Sequence, residues 1–199
     1  MMRSMLFTPD KPGHCRVGIK SLTVPPMLCI VGYSGSGKTF VTVGLVKALK
    51  RTGLQVGTIK HDVHGFEMDR PGKDSWRHKQ AGAAATVISS PSQIGMVMDV
   101  DHDHHPVELL PLLGQMDIVL VEGFKHADLA KIEVFRPENN RPAACRNDRN
   151  LLAVVSDADL GWCVPRYAAN DFEGLAGFVI AHFRLASVTS RGMQRTNCG

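Results

Sequence analysis

Eight consecutive residues, Gly32-Tyr33-Ser34-Gly35-Ser36-Gly37-Lys38-Thr39, constrain this chain more than any others. They fit the pattern G-x-x-x-x-G-K-[ST] and stand between an apolar run, Met27 to Val31, and a stretch of helical periodicity. That context predicts a strand, a tight glycine-rich turn and a helix in succession, the arrangement of a phosphate-binding loop. Gly32, Gly35 and Gly37 admit positive φ and keep Cβ atoms out of the way, so successive backbone N–H groups can converge on an anion. The helix that the loop opens adds its own free N–H groups and its dipole. Lys38 is the charge expected at the β- and γ-phosphates, and Thr39 offers a hydroxyl to Mg²⁺. The nucleotide-binding set read from the loop is therefore Gly32, Ser34, Gly35, Ser36, Gly37, Lys38 and Thr39. An ordinary glycine-rich strand-to-helix turn is the alternative, and the complete motif with both flanks in agreement argues against it.

Downstream, Val41, Gly44, Leu45, Ala48 and Leu49 recur at helical spacing and Gly53 stands where a C-cap belongs, which predicts a helix over about 38–51. Val56 to Lys60 follows as a short strand. Strand, helix and strand in this order form a βαβ unit, whose ligands gather at the strand C-termini. His61 and Asp62 therefore arrive on the same edge as the loop. Gly65 to Lys73 is polar and turn-rich, and Asp74 is placed to cap a short helix reaching about Ala81. Thr86-Val87-Ile88 and Met96-Val97-Met98, separated by Ser89-Ser90-Pro91-Ser92, predict a hairpin-like addition, with Met96 and Met98 in the core. Pro106 to Leu113 reads as helical, shortened or bent by Pro111. Ile118 to Val121, Ile132 to Phe135 and Leu151 to Val155 read as buried strands, and Phe172 to Phe183 as an apolar helix stripe capped by Asp171.

The fold class is thus α/β with a mainly parallel sheet. Residues 1–26, rich in proline and without periodicity, read as an irregular extension in which Val17 to Val24 has the makings of a short strand. Residues 27–186 form the nucleotide-binding domain, and 187–199 a loose polar tail.

Nucleotide hydrolysis needs acids to hold Mg²⁺ and to order water. Glu122, directly after four apolar residues, and Asp62, at the end of the strand after the first helix, are the candidates. With Thr39 they make up the expected metal set, and Lys38, Asp62 and Glu122 the expected catalytic set. A solvated strand-end acid is the plainer account of either. His61 and His64 are read as mostly exposed, and Asp74, Arg77 and His78 as equally consistent with a solvated helix face. Asp101-His102-Asp103-His104-His105 suggests metal, but its residues are contiguous where a tetrahedral site draws on spaced positions, so a solvated turn is expected.

Composition narrows the classes. Over 199 residues the net charge is only +4, the basic residues are dispersed, and no aromatic-rich basic cluster appears, so nucleic acid is not an expected partner. No run approaches a membrane span or a signal-peptide core, and the five cysteines are odd in number and never form C-x-x-C. Free thiols in a reducing cytoplasm are the expectation.

Read together, the loop, Thr58-Ile59-Lys60-His61-Asp62, Arg70-Pro71-Gly72-Lys73-Asp74-Ser75, Arg77-His78 with Gln80-Ala81-Gly82-Ala83, and Leu120-Val121-Glu122-Gly123-Phe124-Lys125 resemble the MobB family of molybdopterin-guanine dinucleotide biosynthesis proteins over about residues 27–183. The resemblance implies a three-layer P-loop NTPase with a small antiparallel β extension. It implies GTP as ligand, Mg²⁺ as cofactor, weak GTPase activity and a homodimer. It also implies an accessory role beside a MobA-type guanylyltransferase, which attaches GMP to molybdopterin. Two departures stand out. No Asn-Lys-x-Asp element that would read guanine is present, and Tyr33 and Ser34 occupy the place where some dimeric relatives carry an extra lysine. Two other functions compete: a P-loop small-molecule kinase, for which Arg70, Lys73, Arg77 and His78 would supply basic groups, and a protein that binds nucleotide for stability alone.

Overall fold

Met27–Val31 forms β1, and all five residues are buried. A strand apolar on both faces requires cover on both, and β1 finds it inside a six-stranded sheet. The computed structural model describes residues 24–186. Within it α1 (Lys38–Arg51) follows β1, then β2 (Val56–Lys60), α2 (Asp74–Gln80), β3 (Ala85–Ser89) and β4 (Ile94–Met98). A 3₁₀ helix (Pro106–Leu112) leads to β5 (Ile118–Glu122), β6 (Lys131–Val134), β7 (Leu151–Val155), β8 (Arg166–Tyr167) and α3 (Phe172–Phe183). The sheet order is β2-β5-β1-β6-β7-β8 and every neighbouring pair is parallel. All six strand C-termini therefore share one edge, where the glycine loop lies. The predicted strand at 17–24 falls outside the described residues, apart from Val24, which is in no strand.

One sheet face packs Leu28, Ile30, Leu120 and Ile132 against Val41, Leu45 and Leu49 of α1 and Leu175 and Val179 of α3. The helices touch closely because Gly44 carries no side chain: a Cβ there would stand 2.2 Å from the Phe172 ring. An ion pair between Arg51, in the last turn of α1, and Glu173, in the first turn of α3, places each charge at the favourable end of its helix. Asp171 caps α3 as the sequence predicts, its carboxylate accepting from the Gly174 N–H at 3.0 Å.

Among the described residues no long helix covers the other face. Cys29, Val31, Val119 and Val121 lie under Leu109, Leu110 and Leu113 and under Trp162 and Val164. Two charged residues of β6 replace apolar cover there. Lys131, 1% exposed, donates to the carbonyls of Ala127 and Leu129 at 2.6 and 3.3 Å and pairs with Asp148 at 2.9 Å. Glu133, fully buried, accepts from the N–H groups of Ala144 and Cys145 at 2.5 and 2.9 Å. Burial pushes the Glu133 carboxyl above the usual range, and the two amides pull the other way. Cys29, Cys145 and Cys163 are free thiols; Cys15 and Cys198 lie outside the described residues.

β3 and β4 pair antiparallel as a separate two-stranded sheet and supply no residue to either core. This corrects the expectation for Met96 and Met98, which are 40% and 47% exposed. Alternation along a strand says which residues share a face, not whether another layer covers that face. Three smaller differences follow local chemistry. Pro106–Leu112 is 3₁₀ rather than α, with Pro111 inside it. Lys73, not Asp74, is the N-cap of α2, and Asp74 falls in its first turn. β6 begins one residue earlier than predicted, at Lys131, and ends at Val134. Among the described residues no helix is long and apolar enough to cross a membrane.

Candidate functional site

The loop leaves β1 with three glycines at positive φ: Gly32 at 142°, Gly35 at 78° and Gly37 at 96°. At Gly32 packing adds a second demand, since a Cβ would lie 2.4 Å from the carbonyl oxygen of Val134 on β6. Gly37 is the N-cap of α1 and no side chain caps the first turn, so its N–H groups are left for a ligand. Ser36 is buried, and its Oγ has no hydrogen-bond partner among the described residues. A buried hydroxyl without a partner, beside a concave run of N–H groups, suits an oxygen-rich anion. The loop residues therefore fit a polyphosphate.

Lys38 folds back, its Nζ donating to the Tyr33 carbonyl at 2.9 Å. Burial lowers its pKa below the ordinary lysine value; Glu122 opposes that shift and Lys60 adds to it. Parallel pairing of β1 with β5 sets Ile30 opposite Glu122, and the Gly123 N–H donates to the Ile30 carbonyl at 3.0 Å. That register delivers Glu122 to Thr39, whose Oγ1 donates to Glu122 Oε1 at 2.8 Å. Two oxygen donors 83 residues apart thus meet beside the phosphate loop. Such a pair fits Mg²⁺, which holds few protein ligands and keeps waters and phosphate oxygens for the rest of its shell.

Asp62 stands on the same edge, two residues past the Lys60–Glu122 pairing, but its Oδ1 accepts from the His64 N–H of its own turn at 3.1 Å. Among the described residues no hydrogen bond joins its side chain to Thr39 or Glu122. Ser34, His64, Asp74, Arg77 and His78 are exposed. His61 departs from expectation: its ring stacks on Phe124 at 4.2 Å, and its Nε2 lies 3.0 Å from both oxygens of Asp103. The histidine-rich segment is consequently tied to the strand edge. His102 pairs with Asp101 at 2.6 Å and faces Glu108 at 3.7 Å, and His105 caps the 3₁₀ helix. Among the described residues no group of three or more His, Cys, Asp or Glu side chains converges into a metal cage.

Sequence reasoning missed Arg136. It follows β6, and its Nη2 lies 3.2 Å from where a Cβ of Gly37 would be. Its guanidinium makes no hydrogen bond or ion pair among the described residues. Nearby, Lys125 and Arg141 lie 5.2 and 5.8 Å from the centroid of the Tyr33 ring. The β1–β6 pairing brings Arg136 and Arg141 to the loop and the β1–β5 pairing brings Lys125, and no local pattern in the sequence signals the two arginines. A separate apolar groove of about 250 Å³, lined by residues that include Phe66, Met68, Trp76, Ile88 and Met96, lies between α2 and the hairpin.

The family model for molybdopterin guanine dinucleotide synthesis protein B, MobB, matches residues 27–157. A molybdopterin-guanine dinucleotide biosynthesis adapter protein of Escherichia coli K12 is 39% identical over 164 residues, covering 79% of this chain and 93% of that one. A protein of the same description from Haemophilus influenzae is 36% identical over 140 residues, with 68% and 76% covered. Among solved structures, a molybdopterin-guanine biosynthesis protein B aligns at TM-score 0.60 and 28% identity over 79% of this chain and 99% of that one. The MobB homologue of Bacillus stearothermophilus aligns at TM-score 0.61 and 23% identity, covering 80% and 99%. With the motifs, the sheet order and the loop geometry in agreement, this chain belongs to the MobB family.

Proposed function

We propose that this chain is an accessory protein of molybdenum cofactor biosynthesis that binds GTP with Mg²⁺ and hydrolyses it slowly. The Thr39–Glu122 contact at 2.8 Å carries the reading, because it sets a strand-end acid against the hydroxyl of a complete phosphate loop. The adapter naming of the relatives supports the accessory role. In this reading the loop N–H groups and Lys38 hold and neutralise the phosphates, and Thr39 and Glu122 hold the cation. Mg²⁺ held there would offset the negative charge of the phosphates. Asp62, whose carboxylate is already oriented by its turn, stands ready to order water or metal-bound water. The turnover expected in this reading is the slow one of unassisted GTPases, about 10⁻⁴ to 10⁻² s⁻¹.

The proposed partners are a MobA-type guanylyltransferase and a second copy of the chain, in the cytoplasm. The hairpin supports self-association: Val87, Ile88 and Ile94 are more than half exposed on a two-stranded sheet with both edges unpaired. Titration of GTP and ATP with Mg²⁺ against wild-type protein and Lys38→Ala, with phosphate release followed in the same samples, tests the reading. GTP is expected to bind tenfold or more tightly than ATP and to turn over slowly, and Lys38→Ala to abolish both. ATP preference, or binding indifferent to Lys38, overturns it.

A further inference from the structure

We infer that the purine base is read at the ends of β6 and β7, with the Asp157 carboxylate selecting guanine and Arg136 closing the base side of the phosphates. The inference rests on the nucleotide-binding reading and adds the base site to it. Its starting point is the sheet order. Glu122 and Asp62, the acids proposed for the cation and the terminal phosphate, lie on β5 and just past β2, on one side of β1. A nucleotide whose terminal phosphate is held there must send its ribose and base across the loop, toward β6 and β7. The loop itself leans that way, since Gly32 packs on the Val134 carbonyl and Gly37 faces Arg136.

Register then brings two charged groups to the same height. β6 and β7 pair in parallel with Val134 opposite Val155, and the Phe135 N–H donates to the Val155 carbonyl at 2.9 Å. Arg136 and Asp157 each follow that pair by two residues. Asp157 thus stands two strands from β1, about 10 Å across the sheet, on the ligand edge. Its orientation is fixed from a distant segment: Oδ1 accepts from the Ala169 N–H at 2.9 Å. The strand end is held as well, by Arg166, which donates to the Ser156 carbonyl at 3.1 Å. The side chain of Asp157 is exposed, and its second oxygen takes no hydrogen bond among the described residues. Asp159, by contrast, caps its own turn at Gly161.

The chemistry separates the bases. Guanine presents two adjacent donors, N1–H and the 2-amino group, to which a carboxylate is the matching acceptor. Adenine has an acceptor at N1 and no 2-amino group. An unpaired acceptor facing an acceptor is costly, so a carboxylate at this place favours guanine strongly. Arg136 contributes differently. A planar cation without a partner, beside the last glycine of the loop, serves phosphate oxygens or a purine face and so favours every nucleotide alike.

Binding of GTP, ATP and XTP with Mg²⁺ to the full-length protein tests this by calorimetry on wild type, Asp157→Asn, Arg136→Ala and Lys38→Ala. In Asp157→Asn the amide keeps an oxygen for Ala169 and gains an NH₂ that matches the 2-carbonyl of xanthine. GTP should weaken and XTP strengthen, each by tenfold or more, and ATP should gain rather than lose affinity, since its N1 no longer faces a carboxylate. A gain for XTP cannot come from misfolding. Arg136→Ala should weaken all three by about tenfold without changing their order. If wild type binds GTP in a Lys38-dependent way yet Asp157→Asn leaves GTP and XTP unmoved, the base site is wrong and the nucleotide reading survives. If Arg136→Ala changes nothing, its part of the site is wrong. If no nucleotide binds in a Lys38-dependent way, both readings fall together.

Discussion

A methyl group at position 32 would meet the Val134 carbonyl oxygen at 2.4 Å and would also have to accept a φ of 142°. That carbonyl cannot yield, because it is backbone at the end of the buried strand β6. Gly32→Ala is therefore expected to cost about 2–4 kcal/mol of stability, read from urea unfolding, and to abolish nucleotide binding. The glycines, Lys38, Thr39 and Glu122 were legible in the sequence because each is marked by its immediate neighbours: a contiguous motif, or an acid closing an apolar run. Arg136 and Asp157 were not, since both owe their place to pairing between strands far apart in sequence. His61 shows a third case. Its stacking on Phe124 and its bond to Asp103 depend on where the histidine-rich segment returns, which residue type alone does not reveal.

Among the elements, the strongest periodic runs came out as predicted, β1, α1, β2, β5, β7 and α3 among them, because burial on two faces or along one helix stripe leaves a plain apolar pattern. β8 escaped notice: two residues paired parallel to β7 carry no pattern of their own. The hairpin was found and its burial was misjudged, for want of any sign of what lies over it. It gives the core nothing, so it should be dispensable to the sheet. Replacing residues 84–99 by a short Gly-Ser link is expected to keep the melting temperature within about 5 °C of the parent. The same change should turn the proposed dimer into a monomer in sedimentation velocity, whereas an unchanged dimer would remove the hairpin from that role.

For the whole molecule, stability is concentrated where two layers meet the sheet. Amide exchange should be slowest in β1, β5, β6 and β7, all largely buried, and fastest in β3, β4 and the segment from His61 to Lys73, which join neither core. Uniform protection across the hairpin would contradict this and point to a partner surface already in place. The α/β class and parallel sheet were legible from the βαβ order alone. The cover on the second face was not, because β6 meets it with Lys131 and Glu133, whose charge reads as solvent exposure. Lys38 is already bonded to Tyr33, and Thr39 to Glu122, so in the proposed nucleotide binding a polyphosphate exchanges those two bonds while it fills the open loop N–H groups and the Ser36 hydroxyl. Side-chain bonds at an exposed edge part within nanoseconds, so the exchange lowers the net gain per contact and leaves the association rate to diffusion and docking. The loop is thereby held in shape before any ligand arrives, and each bond exchanged adds less to affinity than an open group newly filled.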